Sequence, residues 1–441
     1  MKSLRSRLAI AAVTVGPLVT LAACGGSSSG SASGSASGSA AGGGTTTITL
    51  LVDKGDTATK GSKAVIDAFE KANPGITVKA ESRPEGTDGD NIVKTKLATG
   101  DMEDVFWYNS GSLLQALSPE KNLVDLTGDP ALKDTDPSFL PTVTQNGKVY
   151  GAPWGTAMGG GILYNKDVYA KLGLQIPKTW AEFEANNEKI KAAGISPVLG
   201  TLGETWTSQL FVLGDYCNVA AANSGFAKDY TENKAKFATT PAALRGFEKT
   251  AEPKAKGWLN SSAGSLKVDQ GLKLLASGRA ANYPILSAVV SGLPADDANK
   301  IGFFGIPGDD AGKACATIWP GNGQYIPKTS KHVDAAKKFI AFVASPAGTE
   351  AFSSGVAPAG PYLVKGSTLP ADASSVAKDL QAYITKGNVS PALEFVSPVK
   401  GPSLEQILVS VETGQTTAPD GAKQYDADVA KQAKQLNLAG W

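Results

Sequence analysis

TTITLLVDKGDTATKGSKAVIDAFEKANPGITVKA, residues 46–80, decides the fold class. Thr46–Val52 is β-branched and aliphatic, the composition of a buried strand rather than a half-exposed one. From about Ser62 to Asn73, residues Ala64, Val65, Ala68, Phe69 and Ala72 recur at helical spacing, and Pro74-Gly75 stops the helix. Ile76–Ala80 then reads as a second strand. The rhythm continues with a helix over Asn91–Thr99 closed by Gly100, a strand at Val105–Trp107 and a helix at Leu113–Leu117. Strands and helices alternating at this interval predict an α/β fold with a largely parallel sheet. Such sheets gather ligands at the carboxyl ends of their strands.

Further along, Gly161–Tyr164 follows a glycine-rich crossing made of Trp154-Gly155 and Gly159-Gly160-Gly161. A helix is expected over Trp180–Ala193, ended by Gly194, and a long helical tract over Thr207–Val219. Asn282–Ser287 and Ile301–Ile306 read as strands, and Val333–Ala344 as an amphipathic helix stopped by Ser345-Pro346. The last forty residues are again helical in pattern. Gly321-Asn322-Gly323 is a bare GxG, read as a turn.

Toward the N-terminus, Lys2, Arg5 and Arg7 precede an apolar stretch from Leu8 to Leu21, followed by Ala22-Ala23-Cys24. The stretch falls short of the about 20 residues that span a bilayer core. Leu21-Ala22-Ala23-Cys24 looks like a bacterial lipobox, in which residues 1–23 are removed as a signal peptide. The Cys24 thiol would then receive a diacylglyceryl group carrying acyl chains such as palmitate. A plain secreted chain with an unmodified cysteine is the alternative. Residues 25–44 contain only Gly, Ser and Ala, a composition that cannot bury a core, so 24–44 reads as a tether. The expected location is the outer face of the cell membrane, reached through the lipid anchor only.

Removing residues 1–44 of the 441 leaves 397, more than one core usually holds, so two domains are expected. Of the 42 basic residues three lie in the signal, leaving 39 against 41 acidic ones. A chain so nearly neutral has no electrostatic footprint for nucleic acid. Cys217 and Cys315 would occupy an oxidising compartment, where they are either a disulfide or two free thiols. With one histidine and those two cysteines no zinc spacing exists, and neither metal nor cofactor is expected.

Catalytic signatures are poor. His332 stands among charged residues at a helix start, a surface position. Gly26-Ser27-Ser28-Ser29-Gly30 matches the serine-hydrolase elbow but lies in the tether, without the strand and helix that give the motif its geometry. The chain is therefore expected not to be an enzyme. Aromatic residues tell more, because they fall at strand ends and turns: Trp107-Tyr108-Asn109, Trp154, Trp206, Tyr283-Pro284 and Trp319-Pro320-Gly321-Asn322. A pyranose lays flat C–H faces on aromatic rings and needs fixed polar partners for its hydroxyls. Asp53 and Lys54, then Glu81 and Arg83, stand near the first two strand ends as such partners.

Longer blocks carry a family resemblance: AFEKANPGITV (68–78), KLATGDMEDVFW (96–107), GKVYGAPW (147–154), ILYNKDVYAKLGLQIPKTWAEF (162–183), IPKTSKHVDAAKKFIAFVASP (326–346) and EQILVSVETGQTT (405–417). In this order the chain resembles the extracellular solute-binding proteins of the carbohydrate ABC-importer class, the family of maltose-binding protein. The resemblance covers residues 46–441. It implies a two-lobed, periplasmic-binding-protein-like (type II) fold with discontinuous lobes and an interlobar cleft. Residues 45–156 plus 320–370 would form the N-terminal lobe and 157–319 plus 371–441 the C-terminal lobe, with crossings near 155–161, 317–322 and 370. It also implies ligand contacts from Asp53, Lys54, Trp107, Tyr108, Glu204 and Trp206, to which the strand-end and turn positions add Arg83, Asn109, Trp154, Tyr283, Trp319 and Asn322.

One departure stands out. The family often has small-Ala-Met and then Gly-x-Trp, with the tryptophan stacked on sugar, whereas Gly278–Ser287 here contains neither that methionine nor that tryptophan. Tyr283 and Trp319 are the two candidates for its place. The expected function is a monomeric, lipid-anchored binding component that captures a mono- or oligosaccharide by lobe closure, with Gly159-Gly160-Gly161 as hinge, and delivers it to membrane permease subunits of an ABC importer. The alternatives are the same fold with a peptide, polyamine or organic acid, or a surface-anchored carbohydrate hydrolase.

Overall fold

The computed structural model describes residues 45–441; the expected signal and tether, with Cys24, lie outside the described residues. Thr46–Asp53 is a strand buried on both faces, with Ile48 and Leu50 fully covered and Leu51 nearly so. It pairs in parallel with Ile76–Arg83 on one side and Val105–Tyr108 on the other. The first helix runs over Asp56–Ala72, six residues earlier than its apolar pattern suggested, because its first turns are polar. Val65, Ile66 and Phe69 press that helix onto the sheet, and Phe69 meets Phe339 edge-on with ring centroids 5.1 Å apart.

Asn322–Tyr325, antiparallel to both its neighbours, and Gly151–Trp154, running with the first three strands, complete this sheet, giving the order 76–83, 46–53, 105–108, 322–325, 151–154. The expected turn at Gly321-Asn322-Gly323 is thus corrected: Asn322 and Gly323 open a strand. Gly321 does make the bend before it, at φ 90°, and a Cβ there would lie 2.7 Å from Leu363.

A second, six-stranded sheet is centred on Met158–Asn165. That strand pairs antiparallel with Ala280–Leu286, Ile301–Gly305 and Ala316–Trp319, while Ser196–Val198 and Val389–Pro391 extend the two sides. Residues 155–157 and Pro320-Gly321 carry the chain between the sheets. Thr156 forms an isolated bridge with Tyr362, so a third segment runs beside them. Gly159-Gly160-Gly161 is not a hinge but strand interior. A Cβ on Gly160 would sit 2.2 Å from the Trp319 ring, so the glycines admit side chains from the neighbouring strands.

The long tract expected over Thr207–Val219 is broken into a 3-10 turn, Thr205–Gln209, and helices Leu210–Gly214 and Tyr216–Ala222. Thr317 supplies the reason. Its hydroxyl donates to Gly214 O (2.7 Å) and accepts from the Cys217 N–H (2.9 Å), replacing helical partners at the break. Directly beside this, Cys217 and Cys315 form a disulfide, with Cα atoms 6.1 Å apart.

The C-terminal helices Leu404–Glu412 and Ala418–Gln435 pack on Pro241–Ala255. Glu412 ends the first of these helices with its carboxylate buried against Gly200, and burial pushes that carboxyl up to about 8 from an ordinary 4.5. The folded protein therefore keeps a proton that the unfolded chain releases, and stability present below about pH 4.5 is lost as pH rises through 8. Glu412→Gln is expected to change little at pH 4.5 and to stabilise progressively toward pH 8. Urea unfolding at both pH values measures this, and a gain independent of pH would refute it.

Candidate ligand-binding cleft

Strand polarity builds the cleft. Asp53, Arg83, Trp154 and Trp319 each end a strand, Trp107 stands one residue before an end, and Asn322 begins an antiparallel strand. Those positions share one edge of the first sheet and the facing edge of the second. Two adjoining chambers of about 240 Å³ each open there, sharing Asp53, Glu85, Met158, Trp206, Leu286 and Asn322. Their combined size falls in the range of small-molecule sites, roughly 300–1,000 Å³.

The first chamber is aromatic and acidic. Trp107 and Trp154 stand 5.7 Å apart at 38°, Phe352 meets Trp154 edge-on, and Trp206 joins the same wall from the turn Thr205–Gln209. Asp53, Glu85, Glu204 and Asp269 are the ionisable residues of its wall. Asp53 is paired with Arg83, Oδ1 to Nη2 at 2.9 Å, yet burial outweighs the guanidinium and lifts the carboxyl to about 6. Glu85 is pushed up to about 7, first by burial and then by the charges of Asp53 and Glu204. The Trp206 indole N–H approaches Glu85 without reaching full hydrogen-bond geometry. Glu204 accepts the Val268 N–H at 2.7 Å, which ties it to the start of the helix Val268–Ala276.

The second chamber has mixed charge: Arg83, Lys94 and Lys400 against Asp90, Glu394 and Glu405 and the shared Asp53 and Glu85, with Asn109 and Trp319 in its wall. The Trp319 indole donates to Glu394, which is also paired with Lys400 at 3.2 Å, so the ring is held from its far side.

Three expected contacts need correction. Tyr108 is buried, because side chains alternate along Val105–Tyr108 and only Trp107 can face the cleft. The Tyr108 ring lies under the Arg83 guanidinium, 5.6 Å from its centroid, within the core that holds Leu51 and Phe106. Tyr283 is 1% exposed and shares a hydrogen bond with the Thr201 hydroxyl at 2.5 Å, away from both chambers. Of the two candidate replacements for the family's tryptophan, Trp319 alone reaches the cleft. Lys54 follows the strand end and is exposed outside both walls, as is Glu81. The other nine expected residues, Asp53, Arg83, Trp107, Asn109, Trp154, Glu204, Trp206, Trp319 and Asn322, line one chamber or both. Sequence reasoning missed Glu85, Asp269 and Phe352. Extending the second strand to Arg83 would have flagged Glu85, whereas Asp269 and Phe352 lie on helices with no local signal.

Residues 54–350 match the bacterial extracellular solute-binding proteins. The chain belongs to that family. This binding protein is 27% identical over 297 residues to the multiple sugar-binding protein of Streptococcus mutans, a match covering 64% of the chain and 67% of the relative. It is 24% identical to the diacetylchitobiose binding protein DasA of Streptomyces coelicolor, over 97% of the chain and 99% of the relative. The solved structure of the solute-binding protein RafE in complex with raffinose superposes with a TM-score of 0.74 at 24% identity, covering 88% of this chain and 100% of that one. The likeness shows the fold: two α/β lobes of the type II periplasmic-binding-protein kind. Among the described residues, no helix is long and apolar enough to cross a membrane, and no three metal-binding side chains converge.

Proposed function

We propose that this protein captures an oligosaccharide between its lobes, holds it without chemical change and presents it to the permease of an ABC importer. The observation that carries this is the cleft wall, in which Trp107, Trp154 and Trp319 at or beside strand ends and Trp206 on the turn Thr205–Gln209 alternate with carboxylates and the Asn322 amide. Flat rings take the C–H faces of a pyranose, and the polar groups between them take its hydroxyls. Two linked chambers suit more than one sugar ring. Two relatives, a multiple sugar-binding protein and a diacetylchitobiose binding protein, point the same way.

In this reading the lobes are residues 45–156 plus 320–370 and 157–319 plus 371–441. Residues 155–157 and Pro320-Gly321 bend as the lobes move. Closure is favoured only by the ligand's greater affinity for the closed form. Cys24 carries the lipid that holds the body at the outer face of the membrane. A thermal-shift screen of residues 45–441 with mono-, di- and trisaccharides is expected to show stabilisation that grows with concentration, about 2.7 kcal/mol at a hundredfold excess over Kd. A panel that moves the transition nowhere would remove the sugar from this reading.

A further inference from the structure

We infer that the first chamber, bounded by Asp53, Glu85, Glu204 and Asp269, selects a sugar ring bearing a protonated amino group over its neutral counterparts. The inference rests on the saccharide reading above and narrows it to a chemical class.

Every ionisable residue in that wall is an acid. Arg83 neutralises Asp53, and a helix N-terminus engages Glu204. Glu85 and Asp269 have no Lys or Arg in ion-pair contact among the described residues. Glu85 instead has carboxylates as its charged neighbours, and beside them it holds its proton more tightly than an isolated glutamate would. A cation placed among these groups would relieve the repulsion. It would not be a bare metal ion, because the acids are spread along the wall and no three converge.

The indoles say what else the ligand carries. Trp154 is 3% exposed, and its N–H has no acceptor; the Trp107 N–H is likewise buried and unpaired. Those nitrogens are closed to the chamber, so Trp107 and Trp154 offer it ring faces rather than donors. A polyamine brings cations but no flat C–H face. A neutral sugar brings the face but leaves the carboxylate repulsion in place. An amino sugar supplies both. The second chamber shares Asp53 and Glu85 but adds Arg83, Lys94 and Lys400 to its wall, so the ammonium ring would occupy the first chamber, whose wall has no base.

Calorimetry on residues 45–441 at pH 7, where Asp53 is mostly ionised and Glu85 can give up its proton, tests this with glucosamine and its β-1,4 dimer, the N-acetylated forms of both, glucose, cellobiose and spermidine. The ammonium sugars should bind at least about tenfold tighter than their neutral counterparts, equivalent to about 1.4 kcal/mol. Glu85→Gln should reduce that ratio about fivefold or more, while its unliganded unfolding temperature stays level or rises as repulsion is removed. Equal or tighter binding of the neutral sugars overturns the inference and leaves the saccharide reading standing. Binding of spermidine alone, or of none of these sugars, overturns both.

Discussion

Replacing Trp206 by alanine is expected to weaken saccharide binding by about 2–3 kcal/mol, roughly 30- to 150-fold, while the protein stays folded. Trp206 lines both chambers, so a ligand seated in either one meets its ring. The ring is also well supported. It sits on the turn Thr205–Gln209, where the Ser208 hydroxyl donates to the Glu405 carbonyl at 2.9 Å and Thr205 donates to the Glu405 carboxylate at 3.2 Å. Little ordering remains to be done when the ligand arrives, which is the condition under which an aromatic contact contributes most. Because Trp206 is only half-buried, its truncation leaves no sealed cavity. Tyr283→Phe is the matched control. It removes a buried hydroxyl bonded to Thr201, so it should lower stability by about 1 kcal/mol and leave affinity alone. Calorimetry and urea unfolding on both variants decide the matter. If Tyr283→Phe lowers affinity and Trp206→Ala does not, the cleft has been placed wrongly.

The contrast between those two aromatics marks how far the sequence could be read. Parallel strands announce themselves through β-branched runs such as Thr46–Val52, and their ends point to Asp53, Arg83 and Trp107. The sequence does not reveal which of two adjacent aromatics faces the cleft. Trp107 and Tyr108 differ by one step of a two-residue period, and only pairing with Asn322–Tyr325 settles the face. The central strand of the second sheet, Met158–Asn165, was partly hidden for a different reason. Its glycines lack β-propensity and exist to accommodate Trp319 and Phe303 from other strands, a tertiary cause with no local trace. The acidity of the first chamber is equally non-local, since Glu85, Glu204 and Asp269 come from three separate segments.

Asp215→Ala is expected to lower unfolding free energy by about 3–5 kcal/mol, the usual effect of stranding a buried charge. Asp215 and Lys249 are each 1% exposed and pair at 2.6 Å between the helix break at residue 215 and the helix Pro241–Ala255. Lys249 also donates to the Pro307 carbonyl at 2.8 Å, and the Trp180 ring centroid lies 5.1 Å from its ammonium. Asn218 gives Asp215 a second donor at 2.7 Å. Removing the carboxylate leaves the ammonium with a carbonyl and a ring face but no counter-ion. Joining Asp215→Ala with Lys249→Met removes both charges and keeps most of the lysine stem, so the double variant should recover at least half of the loss. Additive losses in the double-mutant cycle would show that the pair acts through packing rather than charge. The pair lies outside both cleft chambers. Affinity measured well below the unfolding transition should therefore stay at the parental value even in the weakened single variant. That separation follows if the second lobe moves as a rigid body during capture: its interior sets whether the lobe exists, and the cleft wall sets what it holds.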